Sequence, residues 1–271
     1  MVLVNGQPAQ SIDVSDRGLH YGDGLFETMV VIDKQIRFIE AHLARLKTGC
    51  ERLSLPFPDL DLLESEFNQV LGSETSSPYI IKLLLTRGPG GRGYVIPEIS
   101  TTTRVISTHA FPDKVMQYWQ DGLRLHVCKQ PLGINPGIAG IKHLNRLEQV
   151  LASAERSGKP FDEGLMLSTT GNVIEGTMSN IFWVRDNTYY TPDLTNCGIE
   201  GVIRSKVIDL LESMNTEVKT GNYLLEDVLK ADTVFMTNST MVVTQVMNLV
   251  DKQWLPDEEL EQLRMRVAEI K

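Results

Sequence analysis

The sequence is poor in positive charge, in cysteine and in long apolar runs. Its 26 lysines and arginines face 35 aspartates and glutamates, a formal net charge of −9, and no stretch concentrates the cations. Such a chain projects no basic field toward phosphates, so neither nucleic acid nor a membrane surface is an expected partner. No window comes near the roughly 20 apolar residues that a membrane span needs. The opening Met1-Val2-Leu3-Val4-Asn5-Gly6 reads as a short strand and turn, not as a charged region followed by an apolar stretch and a cleavage site. Three cysteines, Cys50, Cys128 and Cys197, lie far apart and outside any Cys-x-x-Cys pair. They read as reduced structural residues, and the cytoplasm is the expected location. Five scattered histidines offer no His-x-x-x-His spacing, so no dedicated metal site is expected. Internal repeats and low-complexity segments are absent too.

What is present has the make-up of a folded protein. At 271 residues, 42% hydrophobic and 23% charged, the chain is long enough for one large core or two modest ones. Residues 2–4 and 7–9 read as a hairpin about Asn5-Gly6, and 11–17 as a turn rich in Asp13, Ser15 and Asp16. Gly22-Asp23-Gly24 leads into a largely apolar strand over 25–32, and a short strand follows at 36–38. Apolar groups at 43, 46, 50 and 53 predict a helix over 40–53, and Leu60, Leu63, Phe67, Val70 and Leu71 predict another over 59–71. Arg45 falls near the apolar stripe of the first, where by itself it reads as a side chain laid along the helix flank.

The apolar run at 79–86 predicts a buried strand that returns at 103–108. Between them lies Arg87-Gly88-Pro89-Gly90-Gly91-Arg92-Gly93-Tyr94. This cationic loop is either a plain connection or a site loop whose arginines receive carboxylates, which the guanidinium fork matches in bidentate geometry. Mixed signals over 111–121 read as a connector. A boundary there divides a smaller α+β domain, 1–115, from a larger α/β domain, 116–271.

In the second part, strands are predicted at 123–128, 165–167, 173–174, 181–184, 188–191, 233–236 and 242–250, with helices over 205–214, 224–230 and 257–270. A further helix follows Lys142, with Leu144, Leu147, Val150, Leu151 and Ala154 on one face and Ser157-Gly158-Lys159-Pro160 ending it. The alternation is not a regular strand–helix series, so a doubly wound parallel sheet is not indicated and an α+β class is expected. Lys142 stands where a glycine- and proline-rich loop meets that helix, between apolar neighbours. Desolvation there favours the neutral amine, which is the nucleophile and the base. Gly198-Ile199-Glu200-Gly201-Val202-Ile203-Arg204 opens a helix whose first N–H groups suit an anion. Thr237-Asn238-Ser239-Thr240 sets small polar groups after a buried strand.

Together Lys142, Glu175, Arg45, the helix start at Gly201 and the cluster Asn238, Ser239 and Thr240 resemble the pattern of the fold-type IV pyridoxal-phosphate enzymes. That class comprises branched-chain and D-amino-acid aminotransferases and aminodeoxychorismate lyases. The most diagnostic run is Glu175-Gly176-Thr177-Met178-Ser179-Asn180-Ile181-Phe182, then Thr191, then Gly201-Val202-Ile203-Arg204. Tyr189 departs from the class, which has an aliphatic residue there. The likeness starts at Ser15-Asp16-Arg17-Gly18 and Tyr21-Gly22-Asp23-Gly24-Leu25-Phe26-Glu27-Thr28 and covers nearly the whole chain. Within the class, the runs from Thr86 to Tyr94 and from Ala139 to Val150 look most like those of the lyases.

The resemblance implies a two-domain, D-amino-acid-aminotransferase-like fold, a pyridoxal 5'-phosphate site between the domains, and a homodimer. It assigns Lys142 as the catalytic lysine that also holds the cofactor, and Glu175 as the carboxylate that keeps the ring nitrogen protonated. Arg45, the backbone of Val202 and Ile203, and one of Asn238, Ser239 or Thr240 would hold the phosphate. The implied reaction converts 4-amino-4-deoxychorismate to 4-aminobenzoate and pyruvate, toward folate. Arg92 is the candidate for the substrate carboxylates, and Thr28 and Tyr94 for the pocket wall. A D-amino-acid or branched-chain aminotransferase would share every cofactor residue and is the alternative. A non-enzymatic protein keeping the fold is disfavoured, because Lys142, Glu175 and Arg45 are all present.

Overall fold

Hydrogen bonding sorts the strands of this computed structural model, which describes residues 1–73 and 77–270, into two sheets. The sheets belong to separate compact units. One comprises Met1–Phe111 with Ile141–Asn145, the other Pro112–Gly140 with Arg146–Lys271. Helices and mainly antiparallel strands are mixed in both, so the protein is α+β.

In the first unit the elements are β1 (Val2–Val4), β2 (Gln7–Pro8), α1 (Arg17–Tyr21), β3 (Gly24–Ile32), β4 (Gln35–Ile36), α2 (Ile39–Arg52), α3 (Leu60–Leu71), β5 (Tyr79–Thr86) and β6 (Thr103–Ala110). Their sheet runs β2-β1-β6-β5-β3-β4. The turn read over 11–17 gives way to a helix at its end: the Asp16 carboxylate accepts from Gly18 N–H and starts α1, which Gly22 stops with φ +63°. β3 and β5 pair from Gly24 opposite Thr86 to Val31 opposite Tyr79. Both helices predicted here are present. Leu63, Phe67 and Val70 of α3 and Leu46 and Cys50 of α2 are buried, each large side chain contributing about 1.5–3 kcal/mol. Gly49 brings the backbone of α2 close to the sheet, since an added Cβ would lie 2.8 Å from Leu25 Cδ1.

The second unit holds α4 (Lys114–Asp121), β7 (Leu123–Val127), α5 (Leu147–Ala154), β8 (Glu163–Leu167), β9 (Val173–Gly176), β10 (Asn180–Arg185), β11 (Thr188–Pro192), α6 (Val202–Ser213), β12 (Val218–Gly221), α7 (Leu225–Leu229), β13 (Thr233–Asn238), β14 (Val242–Leu249), β15 (Lys252–Gln253) and α8 (Glu258–Glu269). The sheet runs β12-β11-β10-β13-β14-β7-β8-β9, with β15 beside β14. A last pairing, Glu175 of β9 with Asn180 of β10, closes six of these strands on themselves. Phe182 and Phe235 stack in its core with ring centroids 5.0 Å apart. Tyr189, the departure from the class pattern, is half-buried and packs edge-on against Phe235.

Two sequence readings are corrected here. The stretch read as a connector, 111–121, contains α4, whose Trp119 donates from its ring nitrogen to Met241 O at 2.7 Å. Its polar residues masked a helix that buries only Val115. The helix after Lys142 starts at Leu147, not at Lys142, and its apolar face is turned out. Leu147, Val150 and Leu151 are 77%, 59% and 56% exposed, while Gln149 and Ala152 are buried.

Candidate functional site

Lys142 is set by main-chain pairing. The outer edge of β3 carries β4 only at Val31 and Ile32. At its other end His143 pairs with Leu25, Phe26 N–H donates to Lys142 O at 2.9 Å, and Leu144 N–H donates to Gly24 O at 3.0 Å. Gly24 permits this approach, because a Cβ there would fall 2.9 Å from Leu144 Cδ1. Lys142 Nζ stands 4.4 Å from the centroid of the Phe26 ring. The lysine therefore sits on an extended segment fixed on the sheet edge, rather than at a helix start.

In the same unit Arg45 is neither laid along the helix flank nor isolated. Its Nε donates to Glu27 Oε1 at 2.8 Å and its Nη2 to Glu27 Oε2 at 2.5 Å. His42, one turn earlier on α2, donates from Nδ1 to Glu27 Oε2 at 2.6 Å. Burial alone would raise the Glu27 carboxyl, but the Arg45 charge and the hydrogen bonds from His42 and Arg45 outweigh it and bring the pKa to about 2. Burial pushes His42 below the usual histidine value, against the pull of Glu27, so its ring is neutral.

The glycine-rich loop separates its two arginines. Arg87 is buried and committed: Nε and Nη2 bind Asp23 at 2.8 and 3.0 Å, while Nη1 and Nη2 reach Ser54 O and Leu53 O, each at 2.8 Å. Arg17 also binds Asp23, and it holds Gly93 O at 3.0 Å. Tyr21 Oη accepts from Gly93 N–H at 3.0 Å, and its ring lies 5.5 Å from that of Tyr94. Arg92 and Tyr94 are exposed on the loop so anchored, and Thr28 is half-buried on β3 opposite Lys82.

The second unit gathers the other predicted residues around the seam where β9 meets β10. Glu175 is buried there; its Oε2 accepts from Ile199 N–H at 2.8 Å and its Oε1 lies 3.5 Å from Gln149 Nε2. The charge of Glu175 supports Arg146, whose guanidinium burial otherwise disfavours. Asn180 donates to Ile199 O at 2.8 Å, holding the segment that enters α6. A Cβ on Gly201 would collide with Asn180 Oδ1, so a larger residue at this helix start has to displace the Asn180 side chain. Gly201 gives no side-chain cap, which leaves the first amides of Val202 and Ile203 without a capping oxygen from it. Arg204 ties the helix down through Thr191 Oγ1 at 3.3 Å and Pro192 O at 2.9 Å. That accounts for Thr191 and Arg204 belonging to one motif.

Asn238 organises the last turn. Its Oδ1 accepts from Thr240 N–H, Thr240 Oγ1 and Met241 N–H at 3.0, 2.9 and 2.7 Å, and its Nδ2 donates to Met178 O at 3.3 Å. Ser239 follows, half-buried. Thr237 Oγ1, just before Asn238 on β13, is buried and has no partner among the described residues. Sequence reading did not single out Glu27, His42 or Gln149. The signal for Glu27 was present as one carboxylate inside an otherwise apolar strand, where a buried charge demands a partner.

The family model for class IV amino-transferases matches residues 24–249. An aminodeoxychorismate lyase of Vibrio harveyi is 38% identical over 247 residues, 91% of this chain and 90% of that protein. The crystal structure of 4-amino-4-deoxychorismate lyase from Pseudomonas aeruginosa superposes with a TM-score of 0.94 at 38% identity, covering 99% of this chain and 98% of that one. A hypothetical aminotransferase from Mycobacterium tuberculosis, in its PLP-bound form, shares the fold at 20% identity and a TM-score of 0.86, covering 99% and 97% of the two chains. A motif set that spans both units and a family model that spans most of the chain agree: the protein belongs to the class IV aminotransferase family.

Proposed function

We propose that this protein is a pyridoxal-phosphate-dependent aminodeoxychorismate lyase, releasing 4-aminobenzoate and pyruvate from 4-amino-4-deoxychorismate as a step toward folate. The observation that carries the reading is the near-full-length likeness to two lyases at 38% identity, against 26–29% for aminotransferases of the same family. The residues present fit the cofactor. In one unit a guanidinium is already oriented by Glu27; in the other, helix amides stand bare of a side-chain cap at Gly201 and Ser239 supplies a hydroxyl, each the kind of donor that a phosphate dianion takes.

Bound pyridoxal 5'-phosphate would supply the electron sink that the elimination draws on. Lys142 would hold the cofactor through its amine and, as a free amine, take the proton from the substrate carbon that bears nitrogen. The same lysine, now an ammonium, would return a proton to the departing pyruvate. Glu175 would hold the proton on the ring nitrogen, its carboxylate steadied by Ile199 N–H. Arg45, Val202, Ile203 and Ser239 would bind the phosphate, Asn238 shaping the turn that presents Ser239. Arg92 would meet the substrate carboxylates, with Thr28 and Tyr94 lining the pocket. A homodimer belongs to this reading, supported by the exposed apolar face of α5. So does a cytoplasmic location, which suits three buried unpaired thiols.

The test supplies chorismate, glutamine and an aminodeoxychorismate synthase and follows 4-aminobenzoate. A parallel incubation with D-alanine and 2-oxoglutarate reads transamination. Rapid D-glutamate formation without 4-aminobenzoate would replace the lyase with an aminotransferase.

A further inference from the structure

Glu163 lies at the start of β8 and is 1% exposed. Its carboxylate faces the turn that joins β9 to β10. Oε1 accepts from Gly164 N–H at 2.8 Å, from Thr177 N–H at 3.2 Å and from the Thr177 hydroxyl. Oε2 accepts from Met178 N–H at 3.3 Å and from Ser179 Oγ at 3.0 Å. Every one of these donors is neutral. A buried carboxylate matched by neutral donors alone makes little sense as a stabilising charge, since desolvation costs several kcal/mol and no cation among the described residues repays it. It makes sense as a template, because four of these five bonds converge on residues 177–179 and leave the turn one conformation.

The turn carries that order in two directions. Met178 O accepts the Asn238 side-chain amide at 3.3 Å, and the other end of that side chain gathers Thr240 and Met241. Ser179 O accepts from Gly176 N–H at 2.6 Å, and the next residue, Asn180, grips Ile199 O ahead of Gly201 and α6. Both structures that would hold the phosphate, the 239–240 turn and the start of α6, thus hang on residues 177–180.

We propose that Glu163 is a positioning residue for the phosphate end of the cofactor, acting through the Thr177–Met178–Ser179 turn. This rests on the cofactor reading above. It separates Glu163 from Glu175, which flanks the same turn and serves the ring. Replacing the carboxylate by an amide turns an NH2 group toward hydroxyl and amide donors and loosens the turn. Affinity for the phosphorylated cofactor then falls, while affinity for pyridoxal, which lacks the phosphate, does not.

The experiment titrates cofactor-depleted full-length protein with pyridoxal 5'-phosphate and with pyridoxal, following absorbance and fluorescence. In Glu163→Gln the dissociation constant for pyridoxal 5'-phosphate should rise about tenfold, the worth of one charge-assisted hydrogen bond, and that for pyridoxal by less than about twofold. Thr177→Val with Ser179→Ala removes two donors, keeps the carboxylate, and should lower the same preference to a smaller degree. If Glu163→Gln fails to fold by circular dichroism, this second variant decides. Equal losses for both ligands, or none, would overturn the role of Glu163. A wild-type protein with no preference for the phosphorylated form would instead overturn the cofactor reading.

Discussion

Glu27 of β3 binds Arg45 of α2 at two points, Nε to Oε1 at 2.8 Å and Nη2 to Oε2 at 2.5 Å, with both side chains largely out of water. The fork geometry fixes the Arg45 guanidinium on folding, so under the proposed function it would meet a phosphate already oriented. Glu27→Gln removes the charge while keeping the shape, leaving Arg45 and His42 without their anion. The urea midpoint should fall by an amount worth about 3 kcal/mol, and cofactor affinity should fall with it. A variant of unchanged stability would show that the pair is not a structural anchor.

The same cluster sets an acid limit on stability. Glu27 titrates near 2 in the folded chain against a usual value of 4.5. The unfolded chain therefore binds the extra proton first, and stability present above pH 4.5 is lost as pH falls toward 2. That window is worth about 3 kcal/mol. His42 is also depressed, so below its usual value of 6.5 the unfolded state again takes up the proton first and stability declines. Thermal midpoints measured between pH 7 and pH 5 should drop in the wild type and drop less in His42→Asn. Identical slopes would exclude His42 as the source.

At the start of α6, Gly201→Ala should cost about 2 kcal/mol, since its Cβ runs into Asn180 Oδ1. Asn180→Ala alone loses the bond to Ile199 O, worth about 1 kcal/mol. The double variant should be less destabilised than the two single costs together, because the second change makes room for the first. Strict additivity in chemical unfolding would show that the two residues do not interfere.

Lys142→Ala is expected to fold, as the segment is held by its main chain to Phe26 and Gly24. It should nevertheless stay colourless with pyridoxal 5'-phosphate and retain none covalently after borohydride. Cofactor reduced onto another lysine would displace Lys142 from its role.

The outward apolar face of α5 calls for a cover. Leu147→Asp with Val150→Asp changes two exposed side chains and should leave the circular dichroism unaltered. If the proposed homodimer is closed by this face, sedimentation should shift from a dimer toward a monomer. An unchanged dimer would move the interface elsewhere.

The sequence by itself determined the family. Lys142, Glu175, Gly201 and Arg204 lie in contiguous runs, and a run is read without knowing what packs on it. Strands such as Tyr79–Thr86 were equally legible, because burial of both faces demands continuous apolar residues. Helix α4 was not, since its exposed polar face outweighed the single buried Val115. The apolar stripe of α5 misled for the opposite reason: periodicity marks an apolar face but not what covers it. Only the tertiary structure decided the partners of buried charge. Glu27 meets Arg45 across 18 residues and Glu163 meets Ser179 across 16, and neither spacing carries a periodic signal. Desolvation makes such pairings obligatory, yet which donor satisfies which carboxylate is settled by the sheet that brings them together.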